Sequence, residues 1–271
     1  MKPVFKRILS AGVMIPLVLW LILAGKPIVF SAAIAALILL ALHEFYDLLP
    51  APLALPGKWL GLLLGACLPF AGGNPRFPWP EFFLAGSLLL GLISLLDSRS
   101  LEIRARNWTH ALFGLIYVAL PLSLLVPLRF DPLSGIAGEY RLFFLLVPQW
   151  LQDTAAFFIG SRWGRHRMAP AISPKKSWEG AAAGLAAALA GSLLIRWFAF
   201  PAADHVTVLV YGLLLGAAGQ ASDLAESLFK RAVGVKDSSR IIPGHGGVLD
   251  RIDGLLFACP VYWLLLRYWP W

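Results

Sequence analysis

Apolar runs long enough to cross a bilayer recur from one end of this chain to the other, and no other feature restricts its fold as strongly. About 20 mainly apolar residues cover the hydrocarbon core. Nine stretches approach or exceed that length: 8–25, 27–49, 58–72, 81–97, 108–128, 142–160, 178–200, 206–223 and 250–269. The third is the least regular, because Pro69 and the Gly72-Gly73 pair shorten it. With 59% hydrophobic and 14% charged residues and a mean hydropathy of +0.74, the chain is far more apolar than a soluble domain, whose apolar share is roughly 45–50%. The expectation is an all-α, polytopic integral membrane protein with about nine transmembrane helices.

Basic residues set the orientation. If the N-terminus is cytoplasmic and nine spans alternate, 17 of the 23 Lys and Arg residues fall on the cytoplasmic side, leaving Lys26, Arg76, Arg129, Arg141, Arg196 and Arg267 opposite. The positive-inside rule favours that arrangement, with the C-terminus on the far side. Lys2, Lys6 and Arg7 ahead of an apolar run also describe a signal peptide, but the run is longer than an h-region of ~7–15 residues and leads almost at once into another. An uncleaved first helix is the reading. A net charge of +8 raises the question of nucleic acid. The basic residues are spread over short loops, however, so membrane orientation and anionic headgroups explain them and no nucleic-acid partner is expected. Cys67 and Cys259 fall inside apolar runs without metal-ligand spacing and read as packing residues. Several Trp residues, among them Trp59, Trp108, Trp178 and Trp269, stand near run ends, as an interfacial belt requires.

The two halves differ in character. Residues 1–141 carry about five generic spans and no catalytic spacing; His43 and Glu44, at the end of the second run, read as interfacial anchors. Residues 142–271 carry dense polar clusters and read as the catalytic transmembrane domain, with its loops facing the cytoplasm. Asp223, Glu226 and Lys230 share one helical face, and Asp250 and Asp253 share another. Converging carboxylates beside phosphate-binding groups suit Mg²⁺, which takes one or two carboxylates and completes its shell with water and phosphate oxygens; surface salt bridging is the competing reading. Pro243-Gly244-His245-Gly246-Gly247 is a turn whose backbone, with the helix after it, could cradle phosphates, supported by Lys230, Arg231, Lys236 and Arg240. His245 reads as a phosphate donor or loop-fixing residue, not a general base. In Ser173-Pro174-Lys175-Lys176-Ser177-Trp178-Glu179-Gly180, Ser173 reads as an N-cap with Pro174 at the first helical position. Lys175 and Lys176 then oppose the helix dipole by ~0.3–1 kcal/mol each, which an anionic substrate would offset; the alternative is that they only mark the membrane border. Asp153, about two turns inside its run, costs at least ~2.5–3.5 kcal/mol in lipid and suggests a polar cavity.

The stretch SLFKRAVGVKDSSRIIPGHGGVLDRID, residues 227–253, resembles the signature of the phosphatidate cytidylyltransferase family. The matching positions are Ser227, Lys230, Arg231, Lys236, Asp237, Pro243, His245, Gly246, Gly247, Asp250, Arg251 and Asp253. Asp153-Thr154-Ala155-Ala156 and the lysine-rich 173–180 segment also resemble family motifs; before Asp223, where the family often has Gly-Gln-x-Gly-Asp, this chain has Gly219-Gln220-Ala221-Ser222-Asp223. The resemblance implies Mg²⁺-dependent transfer of CMP from CTP to phosphatidic acid, giving CDP-diacylglycerol and pyrophosphate, in the cell's inner (plasma) membrane with the active site facing the cytoplasm. It implies metal ligands at Asp223, Asp250 and Asp253 and catalytic roles for Lys230, Arg231, Lys236, Asp237 and His245. Substrate contacts are expected at Asp153, Ser173, Lys175, Lys176, Ser177, Glu179, Glu226, Ser227, Gly244, Gly246, Gly247 and Arg251. A homodimer embedded among membrane lipids, and room for a second cation, K⁺, also follow from it. Two other classes compete: a CTP-using kinase of a membrane alcohol, which would transfer the γ-phosphate, and a transporter, which would place polar groups near the midplane between repeated halves.

Overall fold

A computed structural model describes residues 3–48, 53, 55–71, 77–132, 135–239, 241–242 and 246–270, with side chains from residue 12 onward apart from that of Leu55. Every apolar run is helical. The helices are α1 (Pro3–Ala24), α2 (Pro27–Asp47), α3 (Leu55–Ala71), α4 (Trp79–Leu96), α5 (Leu101–Gly114), α6 (Leu120–Ser123), α7 (Leu125–Phe130), α8 (Gly138–Trp163), α9 (Trp178–Ala199), α10 (His205–Ala232), α11 (Leu249–Ile252) and α12 (Leu255–Tyr268). A π turn at Leu115–Ala119 joins α5 to α6. Pro121 explains it: proline has no N–H to give to the carbonyl four residues back and its ring crowds that carbonyl, so the helix widens just before it.

Six helical stretches are long and apolar enough to cross a membrane: α2, α4, the α5–α7 stretch, α8, α9 and α10. Six of the nine expected spans thus meet the length and composition of a membrane helix among the described residues. Helix α3 has 17 residues with Pro69 inside it, α12 has 14 with Pro260 inside it, and α1 is counted only over Gly12–Ala24. Large apolar side chains such as Leu84, Leu88, Leu95, Phe157 and Trp197 stand exposed on these helices, as lipid-facing surfaces require.

One sequence expectation is overturned. Ser173 does not cap a helix; Ser173–Ser177 is strand β2, paired antiparallel with β1 (Arg167–Ala169). Helix α9 starts only at Trp178, and its N-cap is Ser177, whose hydroxyl accepts the Gly180 N–H at 3.2 Å. Lys175 and Lys176 therefore sit on a strand, where no helix dipole opposes them. Pro174 is tolerated because a two-stranded hairpin is all edge.

The chain forms two compact units. The first comprises residues 1–127 and 233–251, the second 128–232 and 252–271. In the first, α2 supplies the buried Ile38, Leu42 and Tyr46 to a core that also holds Leu68, Leu115 and Val118. The Tyr46 hydroxyl donates to the Ala111 carbonyl at 2.9 Å. In the second, α8 and α9 lie close together over small residues: a Cβ on Gly180 would come within 2.9 Å of the Ala156 carbonyl oxygen, the small-residue contact by which membrane helices approach one another. Phe144, Tyr211, Tyr262 and Cys259 are buried in that unit's core.

Candidate active site

In the second unit, the last turns of α10, the hairpin and the turn ahead of α12 bring together a dense set of ionisable groups. Glu226, 1% exposed, pairs with Lys230 one helical turn later. Asp223, on the preceding turn, takes the Lys176 ammonium from β2 at 2.7 Å and lies 3.5 Å from the Ser227 hydroxyl. Arg231 donates to the Ile172 carbonyl at 3.2 Å, so the end of α10 also holds the hairpin turn. Arg167 reaches the Lys175 carbonyl at 3.2 Å, and His166 lies 2.6 Å from Glu179. Ser173 and Ser177 shape the hairpin and the helix cap, and Lys175 is exposed. Of this lysine-rich segment, Lys176 is the residue that meets a carboxylate expected to bind metal.

Asp253 occupies the turn ahead of α12, with its carboxylate accepting the Gly254 N–H at 2.9 Å. Removal from water, then the neighbouring Asp223 and, more weakly, Asp153 carboxylates, push its carboxyl up to about 7, against the opposing pull of Lys230. Asp153 and Asp223 therefore both lie within electrostatic reach of Asp253. Asp153 itself is exposed along α8 and not enclosed in the polar cavity its sequence position suggested. Ser222, where the family often has glycine, is fully buried and donates its hydroxyl to the Asp253 carbonyl, tying α10 to this turn.

In the first unit, the 233–251 loop is organised around two carboxylates. Asp250 accepts the Ser238 N–H at 3.0 Å and the Gly247 N–H at 2.9 Å, and its carboxylate lies 3.1 Å from the Ser238 hydroxyl. Glu44, on α2 and 2% exposed, accepts four hydrogen bonds: the Ser238 hydroxyl at 2.8 Å, the Ser239 hydroxyl at 2.6 Å, and the N–H groups of Val248 and Leu249, each at 2.8 Å. Gly246 has φ +85°, a conformation that favours glycine. A Cβ on Gly247 would collide with the Ser238 hydroxyl and the Glu44 carboxylate. The N–H groups of Gly247, Val248 and Leu249 are taken by Asp250 and Glu44 in this structure. Lys236, Asp237 and Arg251 are exposed. Arg240, Pro243, Gly244 and His245 lie outside the described residues.

Comparison with known proteins fits this arrangement. Residues 5–269 match the model of the cytidylyltransferase family. The chain belongs to that family. A phosphatidate cytidylyltransferase of Staphylococcus haemolyticus is 34% identical over 251 residues, 91% of this chain and 92% of that one. One of Haemophilus influenzae is 31% identical over 282 residues, covering 95% and 96%. One of Brucella suis is 44% identical over 160 residues, which is 59% of this chain and a little over half, 57%, of that protein's length.

Among the described residues of this cytidylyltransferase-family chain, no group of three or more His, Cys, Asp or Glu side chains could hold a metal ion by itself. Mg²⁺ asks for less, since one or two carboxylates suffice when phosphate and water complete the shell. The donor chemistry fits: Asp223 and Asp253 offer hard oxygens, and Asp253, pushed up first by burial, also feels the neighbouring Asp223 charge, which a cation would offset.

Sequence reasoning missed Glu44, which read as an interfacial anchor. His43 is exposed and bonds Asp47 at 2.9 Å, as an anchor would, but Glu44 is buried. The available signal was a carboxylate placed between the apolar Leu42 and Phe45 of a spanning helix.

Proposed function

We propose that this membrane protein is a phosphatidate cytidylyltransferase. The observation that carries the reading is the cluster of Asp223, Asp253 and Asp153 with Lys176 and Lys230, in a chain of the cytidylyltransferase family. A phosphate oxygen of phosphatidic acid attacks the α-phosphorus of CTP; the new P–O bond forms as the bond to the β-phosphate breaks, and pyrophosphate departs. The nucleophile is already ionised at neutral pH, so no general base is needed. Mg²⁺ held by Asp223 and Asp253, with Asp250 added from the sequence pattern, would supply charge neutralisation on the phosphates. Lys176 leaves Asp223 for a substrate phosphate, and Lys230 and Arg231 add positive charge on α10. Charge placement and orientation carry the catalysis.

Further parts of the reading rest on the sequence. Lys236, Asp237 and His245 take catalytic roles, and Gly244 and Arg251 contact substrate. Nine helices cross an inner membrane with the N-terminus and the charged loops in the cytoplasm, K⁺ accompanies Mg²⁺, and the enzyme works as a homodimer among membrane lipids. The test is an assay of detergent-solubilised protein with phosphatidic acid and CTP labelled separately at the α- and γ-phosphates, with and without Mg²⁺. Label from the α position in the lipid fraction, with pyrophosphate released, supports the proposal. Label from the γ position in lipid means a kinase, and no turnover returns the question to a transporter.

A further inference from the structure

Glu44 lies outside the motif positions, yet its carboxylate is among the most fully hydrogen-bonded groups of the first unit. It is 2% exposed, and its four partners among the described residues are two hydroxyls and two amides, all neutral. Burying a carboxylate among neutral groups is costly unless several donors compensate it. An apolar residue would suit the α2 core better, so the carboxylate is there for its partners. All four partners lie within residues 238–249.

We propose that Glu44 is the positioning residue of the 233–251 loop, and that holding this loop is a task of the N-terminal helices. The proposal rests on the cytidylyltransferase reading only for what the loop does, not for how it is held. The clasp accounts for two loop residues at once. Gly247 has no side chain because a Cβ would strike Ser238 and Glu44. Ser238 lies 2.8 Å from Glu44 and 3.1 Å from Asp250, although a hydroxyl has a single proton to donate. Whichever carboxylate receives that proton, the other is left facing an oxygen. Ser238 therefore couples Glu44 to Asp250, the loop's proposed metal ligand.

The test compares Glu44→Gln and Glu44→Asp with the parent protein in detergent. Glutamine keeps the shape but turns an NH₂ toward donors; aspartate keeps the charge on a shorter arm. Trypsin cleavage at Lys236 and Arg251, followed by mass spectrometry, reports loop opening. Glu44→Gln is expected to raise that cleavage about tenfold, with Glu44→Asp in between and helix melting unchanged. In the CTP assay, Glu44→Gln is expected to raise KM for CTP about fivefold or more, with a smaller fall in kcat. Cleavage at the parental rate overturns the clasp. Faster cleavage with KM for CTP unchanged in both variants overturns the positioning role. If Glu44→Gln fails to fold, Ser239→Ala removes one of the four donors and is expected to raise cleavage about threefold; a parental rate there overturns the clasp as well. Absence of cytidylyl transfer by the parent protein defeats the functional reading alone, and the cleavage measurement still judges the clasp.

Discussion

The 233–251 loop and the end of α10 both gather carboxylates, but they satisfy them by different means. In the loop, Glu44 and Asp250 accept N–H and O–H groups at 2.6–3.1 Å, each with a fixed direction. At α10, Asp223 meets the Lys176 ammonium, Glu226 meets Lys230, and Asp253 is left beside other carboxylates. Hydrogen bonds to backbone amides fix a conformation. A partly exposed ion pair between side chains, such as that of Lys176 with Asp223, contributes only about 0–1 kcal/mol and can be exchanged for another partner. The first arrangement suits a part that must keep its shape, the second a part whose charges change partners when a nucleoside triphosphate arrives.

Neutralising the two kinds of carboxylate separates them most sharply. Asp223→Asn and Asp253→Asn are expected to lower the turnover of CTP by at least about 10²–10³, the usual cost of removing a charge-stabilising group, while the 233–251 loop resists trypsin as before. Asp250→Asn should lose activity and loop protection together, because the amide removes the charge that strengthens the three contacts to Oδ2 and turns an NH₂ toward the Ser238 N–H. Equal protease resistance of all three variants would break the contrast. Gly247→Ala comes next: its methyl group meets Ser238 and Glu44, an overpacking cost of about 1–3 kcal/mol, read as faster loop cleavage with α10 unaffected.

Much of this was legible in the sequence, and the gaps have physical reasons. The apolar runs announced the helices because stretches of about 18 or more apolar residues have few other uses. The spacing of Asp223, Glu226 and Lys230 announced a helical face, and Glu226 and Lys230 do pair. Ser173-Pro174 misled because the same dipeptide opens a helix or lies on a strand edge. Pairing with Arg167–Ala169 decided it, and local sequence does not encode that pairing. Glu44 was missed for a similar reason, since its partners lie about 200 residues along the chain.

Proton uptake tests the α10 side in a smaller way. The carboxyl of Asp253 is pushed up to about 7, whereas an unfolded aspartate titrates near ~3.9. The folded state then binds the extra proton between those values, so the stabilisation is full below about 4 and is lost as pH rises toward 7. Without added Mg²⁺, the melting temperature should fall over that window, and Asp253→Asn should flatten the fall. Addition of Mg²⁺ at neutral pH should restore stability to the parent protein and not to Asp253→Asn. A slope unchanged by the substitution would assign the effect to other groups.

The smallest effect belongs to Ser222. Where relatives often carry glycine, its buried hydroxyl donates to the Asp253 carbonyl, and a single neutral hydrogen bond contributes about 0.5–1.5 kcal/mol. Glycine at that position on α10 adds a helix cost of its own, up to about 1 kcal/mol. Ser222→Gly should therefore lower the melting temperature by a few degrees, yet keep turnover within about threefold, since the bond is to the backbone and leaves the Asp253 carboxylate in place. Ser222→Ala distinguishes the two contributions, because it removes the hydroxyl while retaining helix propensity. If both variants lose activity by about tenfold or more with stability intact, the hydroxyl sets the position of the Asp253 turn for catalysis, and the exchangeable side of the molecule depends on one fixed bond of the kind that organises the loop.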